Sequence, residues 1–177
     1  MKCAEIPAFL REDGSGKTRC KRLAEQLCGC DCEAESVEPN LSPGVIRNYE
    51  VLLRYVPLGH IDTDTRTIKP SLFSHAGQSG MSVDRNNYRT AESETQVKTE
   101  YVGVVQATAD AVRAISDDLQ RCFAVYDTAL ANNRAHADVC QIKFFTRSRD
   151  AEFRRRLGEK FLHQKPTWFE DGYIRDT

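Results

Sequence analysis

The sequence lacks any apolar run that approaches the roughly 18–20 residues needed to span a bilayer. It also lacks an excess of either charge, since 25 Lys and Arg residues stand against 26 Asp and Glu residues. A net charge near zero argues against a protein dedicated to nucleic acid or to a membrane surface, although it leaves room for a local patch. The first five residues include an acid and precede no apolar core, unlike a secretion signal. We therefore expect a cytoplasmic protein with no membrane partner.

Cysteine is plentiful but odd in number, with seven residues in the chain. Without a secretion signal, reduced thiols are favoured over disulfides. Cys28, Cys30 and Cys32 lie close together, and thiolates are strong zinc ligands. A zinc site would take its fourth ligand from Cys3 or Cys20. The single-residue spacing differs from that of the familiar zinc finger, so a set of reduced, partly exposed thiols is the alternative.

The periodicity of apolar residues predicts an α/β (α+β) body over residues 45–165, with one mixed sheet flanked by two or three helices. Residues 1–44 are predicted to form a cysteine-containing appendage and linker, and residues 166–177 an aromatic tail. The strands are predicted at residues 49–56, 81–84, 101–106, 121–126 and 136–144, the last half-exposed, and the helices at 18–28, 107–119 and 148–162.

Three polar residues stand on predicted strands: Arg54, Ser82 and His136. An arginine inside an apolar strand is costly unless it meets an anion, a carboxylate or carbonyls. A histidine that opens a strand lies at a sheet end, where sites are often built. We predict that the three are catalytic residues of a site for a phosphate-bearing ligand. In the structural alternative, Arg54 pairs with a nearby aspartate and His136 donates to a main-chain carbonyl.

The segment from residue 57 to residue 80 is a long predicted loop, and such loops in compact domains are usually functional or disordered. Arg66 and Lys69 supply positive charge there, and Ser71 supplies a hydroxyl. We predict these three as ligand-binding residues. Phe73 is expected to anchor the loop to the core.

Four short motifs follow one another between residues 52 and 140. They are Arg54-Tyr55-Val56-Pro57, Pro70-Ser71-Leu72-Phe73, Gly80-Met81-Ser82-Val83 and His136-Ala137-Asp138-Val139. In this order they resemble the motifs of a widespread group of small uncharacterised bacterial proteins. The resemblance implies a bacterial protein and no particular activity. The chain departs from the group in residues 84–99 and in its cysteine-rich N-terminus.

A more distant likeness is to the ADP-ribosyltransferase superfamily. There, an arginine or histidine on an early strand and a serine on a later strand contact NAD. The likeness implies that Arg54 and Ser82 take those roles and that NAD is the cofactor. That superfamily usually carries a glutamate on a later strand, and Glu100, which precedes its strand, is the nearby candidate. The likeness is a fold-level analogy.

Two features suggest macromolecular partners. Arg154, Arg155 and Arg156 form the centre of a basic stretch that could contact a phosphate backbone, although a solvated helix face is the commoner explanation. The tail carries three aromatic residues that pack either on the body or on a protein partner: Trp168, Phe169 and Tyr173.

These features favour a bacterial cytosolic protein of a defence or toxin-like system, with a polar site for a nucleotide or another phosphate-bearing small molecule. The alternative is a non-enzymatic interaction subunit. Such a subunit would dock a larger protein or nucleic-acid partner through its basic helix and aromatic tail. Under the first hypothesis the strand residues are functional, and under the second they are structural.

Overall fold

The fold is taken from a computed structural model that describes residues 5–11, 16–27, 33, 40–90 and 101–169, without the side chains of residues 7 and 11. The helices are α1 (Ile6–Arg11), α2 (Arg19–Leu27), α3 (Ala109–Arg113) and α4 (Arg147–Phe161), and a 3-10 helix covers Pro70–Gly77. The strands are β1 (Val51–Val56), β2 (Met81–Arg85), β3 (Gly103–Thr108), β4 (Ser116–Asp117), β5 (Gln120–Arg121), β6 (Phe123–Asp127), β7 (His136–Gln141) and β8 (Thr167–Trp168).

A six-stranded sheet organises these elements, in the order β6-β7-β2-β1-β3-β8. Each neighbouring pair is antiparallel. The α+β class is therefore confirmed, but the predicted mixed sheet is wrong. Parallel neighbours need a long crossover, usually a helix. The helix predicted over residues 107–119 is only the five-residue α3, and the small β4–β5 hairpin follows it. The chain then enters β6 at the far edge of the sheet, so β3 and β6 are not neighbours.

One face of the sheet carries the main apolar core. Phe153, Leu157 and Phe161 recur every four residues along α4 and are buried there, as predicted. The 3-10 helix adds Leu72 and Phe73. The Phe73 and Phe161 rings lie 5.8 Å apart between centroids, which confirms Phe73 as an anchor of its segment. Burial of each such ring stabilises the fold by about 1.5–3 kcal/mol.

The N-terminal helices cover β6 and β7 on the other face. Cys20, Leu23 and Leu27 of α2 pack in one buried cluster with Cys140 of β7. The prediction that β7 is half-exposed is therefore wrong, because its residues after His136 are all buried. The alternating polarity of β7 predicted that one of its faces meets solvent, but α2 packs on that face. A separate N-terminal appendage is not confirmed, since the described N-terminal helices pack in this cluster.

The end of the described chain returns to the sheet as the edge strand β8. Gly103 on β3 pairs with Trp168, and a Cβ at Gly103 would lie 2.6 Å from the Trp168 ring. Phe169 donates its N–H to the Val102 carbonyl at 3.0 Å and packs on the face that carries Leu53. Both aromatic residues are thus half-buried against the body of the same chain.

A buried ionic network joins β2 and β6 to Glu50, the residue before β1. Arg85 is 1% exposed and donates to both carboxylate oxygens of Glu50, at 2.8 and 2.9 Å. Its Nη1 donates to Asp127 Oδ2 and to the Gly44 carbonyl, each at 2.7 Å. Ser42 donates to the same Asp127 oxygen at 2.6 Å. Buried charges are tolerated in proteins when they are paired and hydrogen-bonded in this way.

The turn of the β4–β5 hairpin offers a stabilising substitution. Asp118 and Leu119 have φ angles of 45° and 66°, and the Leu119 side chain is 100% exposed. Two positive φ angles are typical of a type I′ turn, which favours asparagine followed by glycine. The double substitution Asp118→Asn, Leu119→Gly is expected to raise the free energy of unfolding by about 0.5–1 kcal/mol. Urea titration checks this, and a loss of stability would contradict it.

Candidate functional site

Arg54 occupies a gap between two central strands. The β1–β2 ladder ends at the pair Leu53–Asp84. Beyond it, Arg54 Nη1 donates to the Ser82 carbonyl at 3.0 Å, and Nη2 approaches the Leu72 carbonyl at 3.4 Å. The guanidinium therefore joins β1, β2 and the 3-10 helix. The prediction that an arginine in this strand must meet carbonyls or an anion is met in part by these carbonyls.

The charge of Arg54 is only partly compensated. Burial lowers the pKa of Arg54, while Tyr101 and the carboxylate of Asp138 act in the opposite direction. Its Nε is buried and has no hydrogen-bond partner among the residues that the structure describes. An arginine stays protonated in proteins, so this N–H is a donor without an acceptor.

The segment after β1 places a histidine beside a serine. His60 Nδ1 lies 3.1 Å from Ser71 Oγ, and both side chains reach solvent. The main-chain N–H of Lys69 donates to the His60 carbonyl at 2.8 Å, which holds the two ends of the segment together. Lys69 Nζ approaches the Gly59 carbonyl at 3.3 Å. Predicted binding residues Lys69 and Ser71 therefore share one surface.

Positive groups surround this histidine. Burial lowers the pKa of His60 below its ordinary value of 6.5, and the charges of Arg54, His75 and Lys69 lower it further. A nearby cation disfavours protonation of the ring, so Arg54 and Lys69 act in the same direction as burial, which is the larger cause. We call the set formed by Arg54, His60, Lys69, Ser71 and His75 the Arg54 site.

A second polar group lies on the neighbouring strands. Ser82 pairs with Asp138, and Asp84 pairs with His136, in the antiparallel register of β2 and β7. Directly opposed residues point to the same face. Both aspartates are 4% exposed, whereas the serine is exposed and the histidine half-buried. We call these four residues the acidic row.

The acidic row is held by neighbouring side chains. Thr128 Oγ1 donates to Asp138 Oδ2 at 3.1 Å and lies 2.8 Å from His136 Nδ1. The same ring nitrogen lies 3.1 Å from the Thr128 carbonyl, as the structural alternative for His136 anticipated. Asp84 accepts hydrogen bonds from Tyr55 at 3.0 Å and from Asn133 at 2.8 Å. Both buried carboxylates thus have partners.

The three residues predicted as catalytic lie in one region but in two groups. Ser82 and His136 are diagonal neighbours on paired strands, which places their Cα atoms about 7–8 Å apart. His136 Nδ1 contacts the Thr128 hydroxyl and carbonyl. Arg54 reaches the carbonyl of Ser82 and not its hydroxyl. The Ser82 hydroxyl lies 3.5 Å from Asp138 Oδ1 instead.

Arg66, the third predicted binding residue, lies in the exposed turn between the bridged residues Ile61 and Ile68. Its φ of 55° is left-handed. Asp62 accepts the main-chain N–H groups of Asp64 and Thr65 in that turn, and the hydrogen bond from Thr65 is the main reason why the pKa of Asp62 is low.

His60 and Asp138 were not predicted from the sequence. No local pattern marked His60, because its partner Ser71 is eleven positions away and meets it only through the folded segment. The sequence does contain a pattern that indicates Asp138. It stands two residues after His136 on the same strand, so the two side chains share a face.

The described residues do not extend to several predicted positions. Cys28, Cys30 and Cys32, Glu100 and Tyr173 lie outside them, so the zinc site and the superfamily glutamate stay predictions. Within the described ranges, no group of three or more His, Cys, Asp or Glu side chains could hold a metal ion. Cys20, Cys122 and Cys140 are buried free thiols. Burial raises the pKa of Cys122 to about 11, which keeps that thiol protonated at neutral pH.

The basic stretch and the tail make contacts within the chain. Arg154 Nη1 donates to Gln141 at 3.2 Å, and Arg155 pairs with Glu159 one turn along α4. Arg156 stacks on the Phe153 ring at 5.0 Å. These contacts, with those of Trp168 and Phe169, give no support for docking of a partner through these residues. In the part of the chain that the structure describes, no helix has the length and apolar content to cross a membrane.

The titration of His60 tests the geometry of the Arg54 site. We expect a pKa below 6.5 by proton NMR of the ring, rising toward 6.5 in Arg54→Gln because one of the neighbouring charges is removed. The unfolded chain then binds more protons than the folded chain between the lowered pKa and 6.5. The contribution of His60 to the free energy of unfolding is therefore complete above pH 6.5, and it is lost as the pH falls from 6.5 through the lowered pKa. A pKa above 6.5 would contradict the cluster.

Comparisons with protein-family models, with curated proteins and with solved structures found no match. The two resemblances noted from the sequence therefore stay predictions. The contacts and charges of the Arg54 site and the acidic row are the basis for assigning a function.

Proposed function

We propose that the Arg54 site binds a phosphate-bearing small molecule, such as a nucleotide. The observation that carries this proposal is the Arg54 guanidinium, whose two Nη atoms each donate to one carbonyl and each retain a second N–H. A cation placed between main-chain carbonyls retains donors for an anion. A phosphate oxygen is a suitable acceptor for such a donor.

The neighbouring groups fit the same ligand. Lys69 and His75 are exposed, and Lys69 lies close enough to Arg54 and His60 for its charge to act together with that of Arg54. Ser71 offers an exposed hydroxyl. Phosphate carries several acceptor oxygens, so one ligand group accepts hydrogen bonds from an arginine, a lysine and a serine at once.

Titration with pyrophosphate and with adenosine monophosphate tests the proposal. We expect saturable shifts in the amide NMR signals of His60, Lys69 and Ser71. Arg54→Gln is expected to weaken binding about 10- to 100-fold, because hydrogen bonds to charged groups contribute about 1.5–3 kcal/mol. Binding should weaken further as salt rises.

Arg155→Gln is the matched control. It removes one positive charge from an exposed ion pair on α4, away from the Arg54 site. We expect unchanged binding in this variant. Equal losses in Arg54→Gln and Arg155→Gln would show nonspecific charge attraction and overturn the proposal, as would the absence of saturation.

A growth experiment tests the broader part of the proposal, a toxin-like role in a bacterium. Induction of the wild-type protein is expected to slow growth of a bacterial host. An Arg54→Ala, His136→Ala double variant at a matched soluble level is expected to relieve that effect. A cellular NAD measurement then tests the cofactor expectation. If neither protein slows growth, the toxin-like role fails and the interaction-subunit alternative becomes the next hypothesis to test.

A further inference from the structure

Ser71 and His60 have the arrangement of a nucleophile and its base. The oxygen and nitrogen are 3.1 Å apart, within the range for transfer of a proton between them. Two constraints hold the pair: the Lys69 N–H bond to the His60 carbonyl and the bridge between Ile61 and Ile68. Pro70 begins the 3-10 helix, which restricts the backbone directly before Ser71.

The second exposed serine of the region serves as a comparison. The Ser82 hydroxyl lies 3.5 Å from a carboxylate oxygen of Asp138, at the limit of a hydrogen bond. Its nearest strand histidine, His136, already uses Nδ1 toward Thr128. Of the two serines, Ser71 is the one with a histidine nitrogen beside its hydroxyl.

The protonation state of the histidine suits a base. Burial lowers the pKa of His60, and the facing charges of Arg54 from β1, His75 from the 3-10 helix and Lys69 before that helix lower it further. The ring is therefore neutral at pH 7 and has a lone pair for the hydroxyl proton. Arg54 and Lys69 lie near this ring, and their charges would stabilise the negative charge that develops on a phosphoryl group.

We propose that Ser71 is a nucleophile, activated by His60, that attacks the phosphorus of a phosphoester held by Arg54 and Lys69. This inference rests on the proposed function, because it assigns a reaction to the same ligand class. It makes the protein a phosphoester hydrolase.

The atoms balance in two steps. Ser71 Oγ forms a bond to phosphorus as its proton passes to His60 Nδ1, and the bond from phosphorus to the ester oxygen breaks. The leaving oxygen, on the opposite side of phosphorus, takes a proton from solvent and departs as an alcohol. Water then attacks phosphorus from that side and gives a proton to solvent, and the bond to Ser71 breaks as His60 returns its proton to Oγ. The net reaction is hydrolysis of the ester by one water molecule.

Diisopropyl fluorophosphate provides a direct test, because its phosphorus is attacked by an activated serine with loss of fluoride. Peptide mass spectrometry of the full chain is expected to place the adduct on Ser71. The labelling rate should rise with pH through the lowered pKa of His60 and level off by pH 7. His60→Gln is expected to slow labelling about 100-fold or more, as for loss of a general base.

Ser148→Ala, at an exposed serine of α4, is the control variant and should label at the wild-type rate. Circular dichroism and the thermal midpoint establish that His60→Gln is folded. No adduct on Ser71 would overturn the inference. A Ser71 labelling rate that is unchanged in folded His60→Gln would also overturn it.

Pyrophosphate binding separates this inference from the proposed function. Ser71→Ala should abolish the adduct and keep binding within a few-fold. Binding that depends on Arg54, with no adduct on Ser71, would overturn the nucleophile and leave the binding proposal standing. An adduct that depends on His60, without pyrophosphate binding, would support the pair and overturn both the phosphate site and the phosphoester substrate.

Discussion

Replacing Arg85 by methionine is expected to lower the free energy of unfolding by about 3–5 kcal/mol, the usual cost of removing one partner from a buried ion pair. The guanidinium lies between the carboxylates of Glu50 and Asp127, and each of these side chains is at most 4% exposed. Methionine fills similar space but leaves two buried carboxylates without their cation. Against a typical total stability of about 5–15 kcal/mol, this loss is large and lowers the urea midpoint.

Urea unfolding followed by circular dichroism measures the loss. The control is Arg155→Met, which removes an arginine from the exposed pair with Glu159 and should cost less than about 1 kcal/mol. If both variants lose the same small amount, the network around Arg85 does not stabilise the fold.

Phe73→Ala is expected to cost about 3–5 kcal/mol, since it removes a fully buried ring between the 3-10 helix and α4. Phe73→Leu keeps most of the volume and should cost clearly less. The two variants are compared by urea unfolding. The alanine variant should also raise the pKa of His60 toward 6.5, because a looser segment reduces burial of the ring. A loss below about 1 kcal/mol would contradict the anchoring role.

Gly158 on α4 gives a second test of the same contact. A Cβ there would lie 2.9 Å from Phe73 Cδ2, so Gly158→Ala should destabilise the wild-type protein by about 1–3 kcal/mol. In the Phe73→Ala background the added methyl group enters the new cavity and should cost less. Unfolding free energies of the four proteins form a double-mutant cycle. Additive effects would show that the two positions do not contact each other.

The structure brings together three residues that the sequence placed in different predicted roles. Arg54 was predicted as catalytic because it stands in an apolar strand, and Lys69 and Ser71 as binding residues because of their charge and hydroxyl group, and all three lie around His60. Ser82 and His136 share a face, as alternation along their strands allowed, but their register makes them diagonal neighbours. The pairing of His60 with Ser71 was not foreseen, because it depends on the path of the intervening segment.

By itself, the sequence determined the strands and helices whose periodicity was strong. The apolar run before Pro57, the short strand at Met81 and the four-residue repeat of α4 each matched the structure, because local side-chain spacing decides which face is buried. Three features were decided only by the tertiary structure: the antiparallel strand order of the sheet, the packing of α2 on β7, and the ion pairs of Arg85 with Glu50 and Asp127. These features depend on contacts between residues far apart in the chain. Local propensity does not indicate which distant strand or helix a given segment will pack against.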